Sequence, residues 1–419
     1  ATTSTTHFYF AGGDTPTTIS TIDRIDYSND TATASPKGPL SVARNRVTGV
    51  SSRANATPLK GPGVLEVPVS FGAFSRLVPQ GTDFGYTGGG AYPFSLSTVN
   101  RIDFNNDTAT ALVKGPLSSE RWSPTAVSSV THGYFIGGGP SSPNPKTTID
   151  RIDYSNDTAT ASVRGPLSSA RKYGAAAGNS NFGYIAGGDT PSPAVSTVDR
   201  IDYSNDTATT SVKGPLSHDA EHMSGMGNQN FGYFGGGEVP AVSSRVDRID
   251  YSNDTATASP KGPLNSAREG SNGAGNADFG YFMGGGPGTS NERGVARVDY
   301  SNDTATALTK GDLNHRRDNH SATGNQSFGY AIAGSGSADR SDIDRVDYSN
   351  DGSTAVTKGN MTVSPYRYMG ATSPRENAIP TTTLVNYASG TYATPNTGYF
   401  AGGYAPSYSS SVDRIDYAN

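Results

Sequence analysis

The sequence has 419 residues, of which 52 are Gly, 26 are Pro and none is Cys; 16% are charged, and the net charge is −5. The lack of cysteine excludes a disulfide framework, thiolate metal sites and thiol nucleophiles. Mild acidity without a basic stripe does not favour nucleic-acid binding, and no apolar run approaches the ~20 residues of a membrane-spanning helix. Gly, Thr, Ser, Asn and Pro are poor helix formers, so the composition favours an all-β chain of short strands.

Two sequence anchors recur eight times along the chain. The first is an aromatic–glycine run such as FGYIAGG at 182–188, and the second is a DRID segment such as 199–202. Successive copies are 48 to 50 residues apart, except for a gap of 77 near the start and one of 69 near the end. Self-similarity at a fixed period is typical of a repeat protein.

One repeat unit contains four predicted strands, at 174–178, 182–186, 196–203 and 207–212. Four short strands in about 49 residues are typical of a propeller blade, whose sheet is buried between its neighbours. We therefore predict an all-β propeller that forms a single domain over residues 1–419.

Eight copies predict eight four-stranded blades, with seven as the alternative. The last copy ends after its third strand, so we expect its blade to be incomplete in this chain or to be completed by another segment or chain. Two predicted insertions, at about 45–73 and 368–390, interrupt the regular spacing.

The order of motifs within the unit resembles that of Kelch repeats. The second predicted strand ends in Gly-Gly at 12–13, 187–188 and 402–403, the DRID segment follows, and the connection to the next unit reads PLSSAR at 166–171. One departure is Ala208, which stands where Kelch repeats usually carry Trp. More narrowly, the recurring unit VDRIDYSNDTAT is similar to the tandem Kelch-like proteins of marine bacteriophages, cyanophages in particular. That resemblance implies a propeller that belongs to a virion.

The DRID strand is the richest polar feature of the repeat. Alternation of side chains places Arg200 and Asp202 on one face of the strand. We predict structural ion pairs between such neighbours that tie each blade to the next, in preference to a ring of carboxylates for a metal or ligand. The residues assigned this structural role are Arg24, Asp26, Arg151, Asp153, Arg200, Asp202, Arg248 and Asp250.

No motif predicts a catalytic centre, a metal ligand or a cofactor. The order His218-x-x-Glu221-His222 matches one metallopeptidase class, but no helical sequence surrounds it, so a solvated loop is the preferred interpretation. The Ser-Asn-Asp-Thr segments also read as glycosylation sequons, although turn chemistry explains them. Galactose-oxidase-like chemistry requires a cysteine that this chain lacks.

The connections between second and third strands and those between blades vary among copies, whereas their flanks do not. We expect both sets to share one face, where aromatic side chains would form a binding platform. The candidate binding residues are Tyr92, Phe94, Trp122, Tyr173, Tyr366, Tyr368, Tyr404 and Tyr408.

These features predict a non-enzymatic structural or binding module, specifically a phage virion or appendage protein that acts in assembly or host-surface recognition. The alternative is a secreted bacterial adhesin or carbohydrate-binding protein, and the third candidate is a polysaccharide-active enzyme. The expected partners are other virion or surface proteins and a host-surface glycan. A homo-oligomer is a further candidate; nucleic acid and a membrane span are not expected. The expected location is the virion or the extracellular space.

Overall fold

The computed structural model describes residues 83–380, apart from 92–93, 141–143, 191–192, 239, 288–292, 337 and 363–366. Before residue 83 and after residue 380 it describes the strands whose ranges are given below and short connections next to them. Almost all regular structure is antiparallel β-sheet, which confirms the predicted all-β class. The chain divides into two compact units rather than the single domain expected over 1–419. The first unit comprises 1–78 and 383–419, and the second comprises 79–382.

The second unit contains six four-stranded sheets, which we name blades 1 to 6 in the order of their second strands. From the inner to the outer strand, the first three blades comprise Gly370–Thr372, Phe84–Gly88, Val99–Asp103 and Leu112–Lys114; Thr125–Ser128, His132–Ile136, Ile149–Asp153 and Ser162–Arg164; and Ala175–Gly178, Phe182–Ala186, Val198–Asp202 and Ser211–Val212. The last three comprise Glu221–Gly227, Phe231–Glu238, Val246–Asp250 and Ser259–Pro260; Asn272–Gly275, Phe279–Met283, Val295–Asp299 and Leu308–Thr309; and Ser321–Gly324, Phe328–Ile332, Asp342–Asp347 and Val356–Asn360. Short 3₁₀ helices follow several third strands, at Phe104–Asn106, Tyr203–Asn205, Tyr251–Asn253, Tyr300–Asn302 and Tyr348–Asn350.

The six blades close into a ring through their inner strands, each of which contacts the inner strands of both neighbours. Closure depends on Gly370–Thr372, which pairs antiparallel with Phe84–Gly88 to become the inner strand of blade 1. The segment 368–390, predicted to be an insertion, therefore contains the strand that completes the ring. The propeller prediction is confirmed, but this ring has six blades in place of the predicted eight or the alternative of seven.

The first unit holds the two remaining repeat copies. One is a four-stranded sheet of Thr2–Thr3, His7–Ala11, Ile22–Asp26 and Ser35–Lys37. The other has three described strands, in the order Thr48–Ser51, Thr397–Ala401 and Val412–Asp416, with Val50 opposite Tyr399. Its inner strand therefore comes from the other predicted insertion, at 45–73, and the whole second unit is inserted between the inner and second strands of this sheet. The remaining strands are Asp14–Thr15 with Thr17–Thr18, Tyr404–Ala405 with Ser407–Tyr408, and Glu66–Val67 with Phe74–Pro79 and Thr382–Tyr387.

No helix in the described part of the chain has the length and apolar character needed to cross a membrane.

Neighbouring blades of the ring are joined by a repeated ion pair. Arg200, on the third strand of blade 3, places Nη1 2.7 Å from Oδ2 of Asp254, in the turn that follows the third strand of blade 4. The hydroxyl of Tyr184 donates to the same carboxylate at 2.9 Å, and Lys213 Nζ lies 3.2 Å from its other oxygen. The six equivalent pairs, at 2.7–2.8 Å, are Arg101–Asp157, Arg151–Asp206, Arg200–Asp254, Arg248–Asp303, Arg297–Asp351 and Arg345–Asp107. The last of these joins blade 6 back to blade 1.

The acidic partner of each arginine differs from the one that the sequence suggested. Asp202 accepts hydrogen bonds from the backbone N and the Oγ of Ser204, at 2.9 and 2.6 Å, and so caps the turn that follows its strand. Asp26, Asp153 and Asp250 make the equivalent bonds to their own turns. Alternation does put Arg200 and Asp202 on one face, but the turn of the next blade brings Asp254 within hydrogen-bond distance of the guanidinium.

Aromatic rings and a glycine pack around the same junction. The rings of Tyr184 and Tyr251, from neighbouring blades, stack at 4.6 Å, and Phe182 lies 4.3 Å from the guanidinium of Arg200. Gly214 donates its N–H to the backbone oxygen of Asp254 at 2.9 Å. A Cβ at this glycine would lie 1.9 Å from the carbonyl oxygen of Ala256. The first position of the Gly-Pro-Leu segment is therefore glycine, because its backbone lies directly against the turn of the next blade.

Removing the guanidinium by Arg200→Ala should destabilise the ring, because Asp254 stays largely buried and loses its closest cation. We expect a loss of about 2 kcal/mol in the free energy of unfolding and a fall in Tm of about 5 °C, measured by thermal and denaturant unfolding. The exposed Glu120 provides the control, and Glu120→Ala should change stability by less than about 0.5 kcal/mol. An unchanged Tm for Arg200→Ala would show that the ion pair does not hold the blades together.

Candidate functional site

The inner strands of the six blades surround a cavity of about 90 Å³ on the axis of the ring. Small residues, among them Ala126, Ala176, Gly225 and Ala371, line its wall. One end of the cavity is bounded by residues of the segment 373–379, which follows the strand that closes the ring. We call this end the floor and the opposite end the axial mouth.

Each blade contributes one equivalent residue to the axial mouth, within two positions of the first residue of its inner strand. These residues are Ser123, Tyr173, His222, Gly270, Asn319 and Tyr368. All six have positive φ, between 48° and 62°, a conformation that is strained for residues other than glycine. The strain is offset by hydrogen bonds between mouth residues of neighbouring blades. In each bond, the backbone N–H of one mouth residue donates to the backbone carbonyl oxygen of the mouth residue in the blade before it. These bonds, at 2.8–3.2 Å, are His222 to Tyr173, Gly270 to His222, Asn319 to Gly270, Tyr368 to Asn319 and Ser123 to Tyr368.

Aromatic side chains gather on one side of the mouth. The indole of Trp122 packs edge-on against Tyr368, with centroids 5.3 Å apart, and against Tyr173, at 5.8 Å. The ring of His222 stacks on Tyr173 at 3.8 Å, and burial lowers the pKa of His222 to about 4, so this imidazole is neutral near pH 7. Trp122, Tyr173 and Tyr368 are each half-buried, which leaves part of the cluster open to solvent.

Charged groups adjoin the aromatic cluster. The ammonium of Lys172 lies 4.7 Å from the centroid of the Tyr173 ring and 3.3 Å from a carboxylate oxygen of Asp189. Glu221 and Glu238 stand opposite each other in the sheet of blade 4. Burial and the nearby charge of Asp189 raise the pKa of Glu221. The mouth therefore combines apolar ring surfaces with hydrogen-bond acceptors, a combination that suits ligands with both an apolar face and hydroxyl or amine groups.

The structure brings three of the eight predicted binding residues together: Trp122, Tyr173 and Tyr368. Phe94 lies apart from them, with 78% of its surface exposed. The predicted residues whose placement or side chains fall outside the described part are Tyr92, Tyr366, Tyr404 and Tyr408. As expected, the second-to-third loops and the inter-blade connections meet on one face, for example where Lys172 bridges to Asp189 and Trp122 to Gly139.

Sequence reasoning missed a buried acid at the floor of the cavity. The carboxyl of Glu376 accepts hydrogen bonds from the hydroxyls of Thr323 and Thr372, at 3.0 and 3.1 Å, and from the backbone N of Ser373 at 3.1 Å. Burial outweighs these bonds and raises the pKa of Glu376 to about 8. Nothing in the sequence marked this residue, because it lies in a segment without repeat equivalents.

The floor segment is held by blades from several positions around the ring. Gln229 Nε2 donates to the carbonyl oxygen of Asn377 at 3.0 Å, and Gln326 Nε2 to that of Arg375 at 3.4 Å. Ser373 Oγ donates to the carbonyl oxygen of Phe84 at 2.8 Å. The segment 373–379 therefore joins blades 1, 4 and 6 across one end of the axis.

Two groupings with metal-like composition have other roles. His315, Asp342 and Asp344 lie within 4.8 Å of one another, but Arg317 and Arg340 already pair with the two carboxylates at 2.7 Å. The segment 218–222, expected to be a solvated loop, instead runs into the inner strand Glu221–Gly227. His218 Nδ1 lies 3.5 Å from Asp247, whereas His222 stacks on Tyr173 at the mouth. The two histidines thus serve different contacts.

Comparisons with known proteins identify the fold and no more. No protein-family model matches the chain, and no curated protein is similar to it in sequence. Many solved chains share its fold, among them that of YjhT, a β-propeller. The TM-score with YjhT is 0.53 at 12% identity, and the alignment covers 67% of this chain and 98% of YjhT. The likeness shows a β-propeller.

The buried acid predicts that stability falls as pH rises through neutrality. Between pH 4.5 and about 8 the folded protein keeps a proton on Glu376 that the unfolded chain has released, so the Glu376 contribution is largest below pH 4.5 and is lost as pH approaches 8. Glu376 should contribute a fall of about 1.4 kcal/mol in the free energy of unfolding per pH unit, measured by urea unfolding between pH 6.5 and 8, because the lowered pKa values of the buried His222 and His320 give the opposite slope below that range. Glu376→Gln, which keeps the neutral shape, should flatten the dependence across this window. Equal slopes for the two proteins would contradict the assignment.

Proposed function

We propose that this chain is a non-enzymatic binding module that recognises a surface ligand through the axial mouth of its six-bladed ring. The observation that carries the proposal is the convergence of Trp122, Tyr173 and Tyr368 at one side of that mouth, although these residues are far apart in the sequence. Their centroids lie 5.3–5.9 Å apart. Such clusters offer large, rigid, amphipathic contact surfaces.

The mouth is well suited to binding because it is pre-organised. The five backbone hydrogen bonds between mouth residues fix their positive-φ conformation, and the edge-on packing of Trp122 restrains both tyrosines. A rigid site loses little conformational entropy when a ligand binds. The apolar faces of sugar rings fit aromatic surfaces, and the nearby carboxylates of Glu221 and Glu238 would accept hydrogen bonds from sugar hydroxyls. We therefore favour a surface glycan as the ligand.

A non-enzymatic role is supported by how the reactive side chains of this region are used. His222 is neutral and stacked, Lys172 is paired with Asp189, and the carboxyl of Glu376 accepts three hydrogen bonds at the floor. These groups hold the ring and its mouth together. The polysaccharide-active enzyme remains the third candidate, and Glu376 and Glu221, whose pKa values are both raised, are acids that it could use.

The biological setting that we propose is a phage virion or appendage, where the module would assist assembly or host recognition outside the cell. Its support is the Kelch-like order of the motifs and the similarity of the VDRIDYSNDTAT unit to tandem Kelch-like proteins of marine bacteriophages. The proposed partners are other virion or surface proteins and a host glycan, with a homo-oligomer as a further candidate. The alternative setting is a secreted bacterial adhesin.

Binding to an array of bacterial surface glycans should depend on the mouth. Trp122→Ala removes the ring that contacts both tyrosines, and we expect at least a tenfold loss of affinity, about 1.4 kcal/mol. Phe94→Ala is the matched control, because Phe94 is an exposed aromatic outside the cluster, and it should bind as the parent does. Equal losses in both variants, or none in Trp122→Ala, would refute the mouth as the binding site.

The virion setting is tested by mass spectrometry of purified phage particles from the source of the sequence. Peptides of this chain should be present at stoichiometric levels after nuclease treatment and density-gradient purification. Their absence from particles, together with their presence in the culture supernatant of uninfected bacteria, would favour the adhesin instead.

A further inference from the structure

A polar groove lies between blades 2 and 3, at the end of the inner strands opposite to the axial mouth. Its volume is about 460 Å³, which is in the range of small-molecule sites. Three segments line it: residues 129–132 and 134, which include the first turn of blade 2; residues 180–182, in the equivalent turn of blade 3; and residues 202–204, at the end of the third strand of blade 3. We call it the 2–3 groove.

The groove lies where blade 2 lacks an asparagine that blades 3 and 4 have in their first turn. In blades 3 and 4 an asparagine of the first turn reaches the turn of the next blade: Asn179 Nδ2 donates to the carbonyl oxygen of Gln229, and Asn228 Nδ2 to that of Ala277, both at 3.3 Å. Blade 2 has Ser129 at this position. Its hydroxyl accepts from the backbone N of His132 at 3.1 Å, as Oδ1 of Asn179 and Asn228 accept within their own turns, but it has no amide group to donate to the next blade. A serine is too short to span the junction as asparagine does.

A second departure from the repeat lies at the same junction. In the other five blades a phenylalanine begins the second strand and lies 4.2–4.3 Å from the guanidinium of that blade's third-strand arginine. Blade 2 has the smaller His132, whose Nδ1 lies 2.8 Å from the hydroxyl of Thr131. Burial and the charge of Arg151 lower the pKa of His132. The groove is therefore lined by a neutral, half-buried imidazole in place of a phenyl ring.

The remaining lining residues define the chemistry of a ligand. Asp202 presents a carboxylate, one oxygen of which caps Ser204. Asn181 is exposed, and Ser180 and Phe182 also line the groove with a hydroxyl and an aromatic ring. No lysine or arginine is among the lining residues, which disfavours phosphate or carboxylate ligands. One carboxylate, an amide, hydroxyls, a neutral imidazole and an aromatic ring match the alternating donors and acceptors of a sugar.

We propose that the 2–3 groove binds a neutral hexose unit, as a second carbohydrate site separate from the axial mouth. The hydroxyls of the sugar donate to Asp202 and accept from the amide of Asn181, and one face of the pyranose rests on the aromatic side of the groove. This inference does not depend on the mouth, because the two sites lie at opposite ends of the inner strands and share no lining residue.

The test is an NMR titration of the full chain with glucose, galactose and N-acetylglucosamine, following the Cε1–H resonances of its six histidines. At least one of these sugars should shift the His132 resonance saturably, with a Kd of about 1–10 mM, as suits a ligand of this size. Asn181→Ala changes an exposed side chain, so it should fold normally and weaken binding at least fivefold. No saturable shift up to 50 mM (about five times the upper Kd) would overturn the proposal.

The double variant Ser129→Asn with His132→Phe restores the repeat sequence at this junction. It should keep or raise Tm while abolishing sugar binding, measured by calorimetric titration, so a loss of binding cannot be attributed to unfolding. Asn228→Ser with Phe231→His is the matched control at another junction and should leave binding to the 2–3 groove intact, as should Trp122→Ala at the mouth. Retained affinity in the restored variant would refute the groove; loss only in Trp122→Ala would assign the sugar to the mouth.

Discussion

The ring depends on one interaction, the carboxylate that each blade presents to the blade before it. Asp254 is buried, and it receives a guanidinium, a phenol hydroxyl and an ammonium from blade 3. A buried charge is costly unless its hydrogen bonds are all made, so each junction adopts essentially one geometry. Six copies of that geometry fix the angle between neighbouring blades. The thin apolar layers between blades add burial energy, and the polar contacts decide how the blades align.

Much of this architecture could be predicted because it is local and repeated. The period follows from the eight copies of the repeat, and the four strands of a blade and the structural role of Arg200 follow from the sequence of a single unit. The acidic partner of Arg200 cannot be predicted in this way. Alternation along one strand favours Asp202, and only the packing of the neighbouring blade brings Asp254 closer to the guanidinium. Pairings between distant segments, such as Gly370–Thr372 with Phe84–Gly88, leave no local pattern. The site was partly foreseen as aromatic residues on one face, whereas Glu376 lacked any signal.

The near-identity of the units provides an internal reference within one molecule. Residues that join blades, such as Arg200 and Tyr184, recur because every junction has the same geometry. The mouth residues occupy equivalent positions with the same backbone conformation and yet differ in chemistry, from Gly270 to Tyr173. The scaffold thus fixes where these side chains are placed, while their identity is free to suit a ligand. His132 is informative for the same reason, because the other five blades of the ring carry phenylalanine at the equivalent position.

The position of the six-bladed unit within the chain has a consequence for the order of folding. Thr48–Ser51 leaves the ribosome early, but its partner strand, Thr397–Ala401, is synthesised only after the entire ring. Pairing across so long a separation must await closure of a very large loop, whereas domains generally fold as units during synthesis. A folded ring holds the two ends of that loop at fixed points and shortens the effective separation. Completion of the sheet that contains Thr397–Ala401 therefore follows folding of the ring, and a mutation that weakens the ring would also delay this sheet, whose sequence it leaves unchanged.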